Sequence, residues 1–161
     1  MELAKDETEE RALTPLHPNH VKLLRVQAAI MAVPVTVAAL VLEIAGFLPR
    51  GAVIAPVLLL AAWLILRVPL RRHAARGYDV GADRLRVVRG LWFHSDTVVP
   101  FGRVQHIDLK QQPLERAFGL ATLTVHTAGT HNASVSLPGL AQADAAAMRE
   151  AIRAHIKRET L

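Results

Sequence analysis

Eight histidines are the first residues in this chain to test for chemistry. A zinc site needs three or four His, Cys, Asp or Glu side chains converging on one point. The chain has no cysteine, which excludes disulfides, thiolate metal ligands and thiol nucleophiles. His17 and His20 stand three apart, but Pro18 between them breaks the helix that would align them. His94, His106, His126 and His131 fall on separate strands or loops, with no carboxylate at a ligand spacing beside them. Ordinary imidazoles are the better reading, and no metal or other cofactor is expected. His94, Ser95 and Asp96 are adjacent in sequence, yet neighbours on a strand point to opposite faces. The chain has neither a nucleophile elbow nor a glycine-rich phosphate loop. An enzyme is therefore not expected.

Charge carries more information. The formal net charge is +5, a balance that suits nucleic acid or anionic lipid. The position of the arginines favours lipid and gives no reason to expect nucleic acid. Arg71, Arg72 and Arg76 directly follow a long apolar stretch, where each cation near a bilayer adds about 1 kcal/mol of attraction to anionic lipid. Arg84 and Arg86 share one face of a predicted strand, a face that could look toward the membrane. They suit a solvated, orienting charge set better than a specific headgroup pocket. Glu43 is the one acid inside the apolar stretch. Ionisable groups in a membrane are costly and mark function by default. Glu43 lies about one turn from the outer interface, where it reaches water or Arg50, so both readings stand.

The elements that must position these residues begin with a polar segment, residues 1–20, read as a flexible tail. Its start is acidic, unlike a signal peptide. Residues 26–47 are almost wholly apolar, and a helix needs about 20 such residues to cross a bilayer. Pro34 should kink this helix. Residues 48–51 read as a tight turn, and residues 52–70 as a second span if Arg67 snorkels to the headgroups. Pro56 falls in the first turn and Trp63 near the far end. A buried helical hairpin in a soluble protein is the alternative, but so small a core could not cover it. The hairpin, residues 21–72, is flanked by Lys22 and Arg25 before it and Arg67, Arg71, Arg72 and Arg76 at its end, against Arg50 alone in the turn. That asymmetry places both termini on the cytoplasmic side of an inner membrane.

Residues 73–161 change to short strands and turns, a separate cytoplasmic domain. Residues 84–88 alternate polar and apolar, and 92–99 reads as a strand closed by Pro100. In 104–109, Val104, His106 and Asp108 fall on one face and Gln105, Ile107 and Leu109 on the other. Residues 112–119 look like a short helical turn. Strands follow at 120–126 and 134–137, and Pro138 with Gly139 should end the β region. Residues 140–158 are alanine-rich, with an apolar stripe of Ala145, Met148, Ile152 and Ile156. The fold class is α+β: a two-helix transmembrane hairpin, then a curved sheet capped by a C-terminal helix.

Three blocks then carry a resemblance: residues 85–91 (LRVVRGL), 99–107 (VPFGRVQHI) and 112–121 (QPLERAFGLA), completed by 127–129 (TAG). The chain resembles the bacterial pleckstrin-homology (PH) domain membrane proteins, the YdbS-like family also known as domain of unknown function 304. The resemblance implies a PH-like β-barrel or sandwich closed by a C-terminal helix. It also implies a link to envelope stress or antimicrobial-peptide tolerance, and pairing with a larger relative bearing several such domains. Arg103, Gln105, Glu115 and Arg116 are the motif residues with a candidate role, Arg103 and Gln105 more as partners of loop carbonyls than as ligand contacts. The expected function is a non-catalytic, membrane-anchored interaction module. Its partners would be membrane lipids and a larger PH-domain membrane protein or a second copy of itself. The alternative is an anionic-lipid-binding or lipid-handling protein contacting lipid through Arg84, Arg86 and neighbours.

Overall fold

Side chains that need no water, joined by a backbone that satisfies its own hydrogen bonds, make the apolar stretch helical. In the computed structural model, which describes residues 13–46, 49–91, 94–128 and 134–159, helix α1 runs Asn19–Ile44 and α2 runs Ile54–Ala74. At about 1.5 Å per residue each is long enough for a hydrocarbon core of about 30 Å. Both helices extend on the charged side past the apolar runs, taking in Lys22 and Arg25 at one end and Arg71 and Arg72 at the other. Met31, Ile44 and Leu59 are 71%, 76% and 73% exposed. Such a surface is what a bilayer covers, and it removes the alternative of a soluble core hairpin.

The chain after α2 builds two antiparallel sheets. The first orders β1 (Thr14–Pro15), β2 (Arg76–Val80), β3 (Arg84–Gly90) and β4 (His94–Pro100). The second orders β5 (Val104–Lys110), β6 (Leu120–Thr127) and β7 (Ser134–Ala141). A 3-10 turn, Phe101–Arg103, joins them. Short helix α3 (Pro113–Ala117) precedes β6, and α4 (Gln142–Glu159) follows β7. Leu85, Val87 and Val99 of the first sheet face Leu123, Val125 and Leu137 of the second in one buried cluster. Helix α4 closes it with Ala145, Met148 and Ile152, and Ile156 packs at the margin. The predicted stripe is thus the capping face.

Three expectations need correction. The segment 1–20 is not a tail throughout: Thr14 and Pro15 pair with Tyr78 and Gly77 of β2, and Leu16 is buried. An open sheet edge recruits these residues, as unpaired edges do. Residues 1–12 lie outside the described residues, as do Trp92 and Phe93 of the predicted 92–99 strand, and His131. Pro138 and Gly139 do not end β7. The register slips there, with Ala121 opposite Leu140 and Leu123 opposite Leu137. One extra residue is absorbed as a bulge, which Gly139 permits at φ +77°. Last, the alternation in β5 breaks. A register shift between Val104 and His106 puts Val104 and Ile107 both in the core, with Gln105 and His106 exposed.

Candidate functional site

The membrane hairpin and the sandwich meet at a cluster of cations. Arg76 opens β2 two residues after α2 ends, and strand register sets Arg89 of β3 beside it. Gly90 N–H donates to Ala75 O at 2.9 Å, which ties this end of the ladder to the helix. Arg72 lies one turn back along α2. Burial, then the charges of Arg89 and Arg72, push the Arg76 guanidinium below its ordinary value. Arg89 donates to the Ser136 carbonyl. Among the described residues, no carboxylate pairs with Arg72, Arg76 or Arg89.

The start of α1 docks against the same region. His17 N–H donates to Gly139 O at 3.0 Å, and Asn19 Nδ2 donates to Phe118 O at 3.2 Å. His20 is 2% exposed. Its ring lies so near Gly139 that a Cβ there would come within 2.5 Å of it. The bulge in β7 therefore makes room for His20. The His73 ring from α2 stands 6.0 Å away, centroid to centroid. Neither His20 nitrogen has a partner among the described residues, nor do His73 Nδ1 and Arg25 Nε, all of them buried. Buried polar atoms without partners are rare and call for an explanation.

The other candidates separate from this cluster. Arg84 sits at the opposite end of β3 from Arg89, roughly 17 Å away at the usual strand rise. Arg86 forms a bidentate pair with Asp96 on β4, with Nε to Oδ1 at 3.0 Å. Those hydrogen bonds hold the Asp96 carboxyl below its ordinary range. Of the five arginines proposed for lipid or partner contact, the structure thus brings Arg72 near Arg76, leaves Arg71 and Arg72 both exposed on α2, and sets Arg84 and Arg86 apart. It is Arg89 that lies beside the hairpin.

Glu43 resolves into a structural role. Its carboxylate accepts from the Gly51 N–H, from Val53 N–H at 3.2 Å and from Ile54 N–H at 3.1 Å. These are amides the first turn of α2 cannot satisfy itself, so an acid from one helix caps the next. Glu115 has a similar task. It accepts from Gln112 N–H at 2.8 Å in a capping box and from Thr122 Oγ1 at 2.6 Å. That bond pins α3 onto β6. Arg116 is exposed.

Arg103 and Gln105 are exposed, and no side-chain hydrogen bond to a loop carbonyl is seen for either among the described residues. Gln105 instead lines a groove of about 410 Å³ between the free edge of β5 and α4, with His106, Ile107, Arg153, Ile156 and Lys157. Nearby, His106 and His126 both bond Asp108, at 2.8 and 3.2 Å. Burial works to raise the Asp108 pKa, but the two histidines and Lys110 outweigh it and hold the carboxyl low. Among the described residues no three His, Asp or Glu side chains form a metal-binding group.

No pattern in the sequence marks His20, Arg89 or Gly139 as a site residue. Arg89 stood inside the first resemblance block, but only strand register reveals that it meets Arg76.

Residues 21–156 match the family described as Bacterial PH domain. The chain is also 32% identical over 98 residues to the transmembrane protein YdbS of Bacillus subtilis (strain 168), a match covering 57% of this chain and 60% of that relative. No solved structure matches the chain. The family match begins in the first turn of α1 and ends in the last turns of α4, so it embraces the hairpin as well as the sandwich. The chain therefore belongs to the bacterial PH domain family, as a membrane protein with two apolar helices ahead of its PH-like domain.

Proposed function

We propose that the chain is a non-catalytic interaction module. The hairpin fixes the PH-like domain at the cytoplasmic face of the inner membrane, and the domain offers the groove between β5 and α4 to a partner protein. The groove carries this reading. β5 is an edge strand of its sheet, so its outer backbone groups are open to a further strand. Lys157 supplies positive charge on the other wall, beside Arg153, which is shared with Glu150 at 3.4 Å. An extended acidic segment fits both features: main-chain pairing gives affinity and the cations give direction. The partner is a larger membrane protein with PH-like domains or a second copy of this chain, in keeping with the family resemblance, which also suggests a setting of envelope stress or antimicrobial tolerance.

Lipid handling through Arg84 and Arg86 is the weaker reading, because Asp96 already neutralises Arg86 and Arg84 stands far from the hairpin.

The test is photo-crosslinking from Gln105 in intact cells, followed by mass spectrometry. A discrete membrane-protein adduct, lost in the double variant Arg153→Glu and Lys157→Glu, is expected. Crosslinks that are diffuse, or unchanged by charge reversal, would exclude the groove as the docking site.

A further inference from the structure

We propose that the hairpin holds one anionic phospholipid, its acyl chain lying between α1 and α2 and its phosphate against Arg72 and Arg76. The inference is separate from the partner groove on the far side of the sandwich.

Three observations converge. First, α1 and α2 leave a cleft of about 290 Å³ between them, walled by Ala28, Val35, Leu60, Ala61 and Leu64 and ended by Arg72. Alanines on both walls keep the cleft open where leucines would fill it. Its size is just under the roughly 300–1,000 Å³ of small-molecule pockets, which suits one chain rather than another helix. Second, a neighbouring hollow shares Leu64, Val68 and Arg72 and adds Trp63, Arg71 and Leu91. The apolar cleft thus continues past Trp63 to the arginines at the end of α2. Third, among the described residues the cations at that end lack anions. Arg72, Arg76 and Arg89 have no carboxylate partner among the described residues, and near Arg76 the buried His20 ring and the buried Nδ1 of His73 are without a partner there too. Gathering like charges without a counter-charge is unfavourable, and a phosphate supplies the missing charge with acceptors for several donors at once.

A second copy's helix in the cleft would bury its apolar walls but leave the arginines unneutralised. Free phosphate would satisfy the arginines but leave the cleft empty. The lipid alone answers both halves.

The experiment is native mass spectrometry of the full-length chain, taken from nanodiscs of equal phosphatidylglycerol and phosphatidylcholine. Stoichiometric retention of phosphatidylglycerol, preferred by about tenfold or more, is expected. Arg72→Gln with Arg76→Gln should bring the two lipids to parity. Ala61→Leu, which fills the cleft and spares every cation, should lose the retained lipid of either kind. Added inorganic phosphate should displace nothing. Equal retention of the two lipids by the parent, unchanged preference in the arginine variant, displacement by phosphate, or a lipid-free dimer that Ala61→Leu dissociates would each overturn the proposal. Should the arginine variant fail to fold, Ala61→Leu and the parent's headgroup preference still decide it.

Discussion

Leu59 of α2 is 73% exposed and Leu123 of β6 is 0% exposed. The two residues are chemically identical, yet one belongs to a segment that presents apolar surface outward and the other to a core that hides it. What separates them is what the intervening polar residues do. In the sandwich, alternation places Arg84 and Arg86 outward while Leu85 and Val87 turn inward, so water completes the fold. Among the described residues the hairpin has no polar face, and Glu43 caps backbone amides rather than facing solvent. One solvent cannot satisfy both regions, and the junction at His20, Arg76 and Gly139 is where the two solutions are joined.

The sharpest way to break the comparison is to place the same charge in each region. Ile152→Asp would bury an unpaired carboxylate at a residue 1% exposed, at a cost of about 4 kcal/mol. The domain's denaturant midpoint should collapse while membrane insertion persists. Leu59→Asp should do the reverse, costing about 3 kcal/mol of insertion and leaving a folded domain after solubilisation. Carbonate extraction and urea melts read the two effects separately, and equal damage to both properties by either variant would dissolve the distinction.

The junction comes next. Gly139→Ala forces an alanine to φ +77° with its Cβ against the His20 ring, a loss of about 2 kcal/mol. His20→Ala should restore part of that loss, since it removes the ring but not the strain. A double-mutant cycle on thermal melts measures the coupling. Simple additivity would mean that hairpin and domain do not touch through this pair.

A smaller effect is expected inside the hairpin. Glu43→Leu removes the acceptor that caps α2, and Glu43→Gln retains part of it. Resistance to unfolding in mixed micelles should fall in the order parent, Gln, Leu. A leucine variant as resistant as the parent would return Glu43 to the status of a functional acid.

The least effect belongs to the Arg86–Asp96 pair. Asp96 is held below its ordinary pKa by Arg86, so its contribution is present near neutrality and fades as pH falls through that lowered value. The pair is partly exposed and should give under 1 kcal/mol. Asp96→Asn should flatten the pH dependence of domain stability in that acid range and change little at pH 7.

The architecture was legible because it depends on periods that a sequence displays. The run 26–47 declares a span, and Ala145, Met148, Ile152 and Ile156 declare a capping face. What stayed hidden depends on register. The bulge at Gln105 breaks an alternation that looks unbroken in sequence, and the bulge at Gly139 carries β7 past a dipeptide that reads as a stop. The cation cluster was half visible. Arg72 and Arg76 sit beside the apolar run, but Arg89 arrives only through pairing of β2 with β3, and His20 only because α1 docks on a strand far along the chain. Glu43 was singled out for its position, yet its partners are backbone amides, which no side-chain pattern announces.

The hairpin is proposed to cross the membrane and hang the PH-like domain on its cytoplasmic side. The absence of cysteine makes the most direct measurement clean: single cysteines at Arg50 in the turn and at Thr97 on β4, probed with a membrane-impermeant maleimide. The account predicts that the residue 50 cysteine reacts in cells with only the outer envelope opened, and that the residue 97 cysteine reacts only once the inner membrane is permeabilised. Labelling at residue 97 while the inner membrane is intact, or protection at residue 50 under the same conditions, would contradict it.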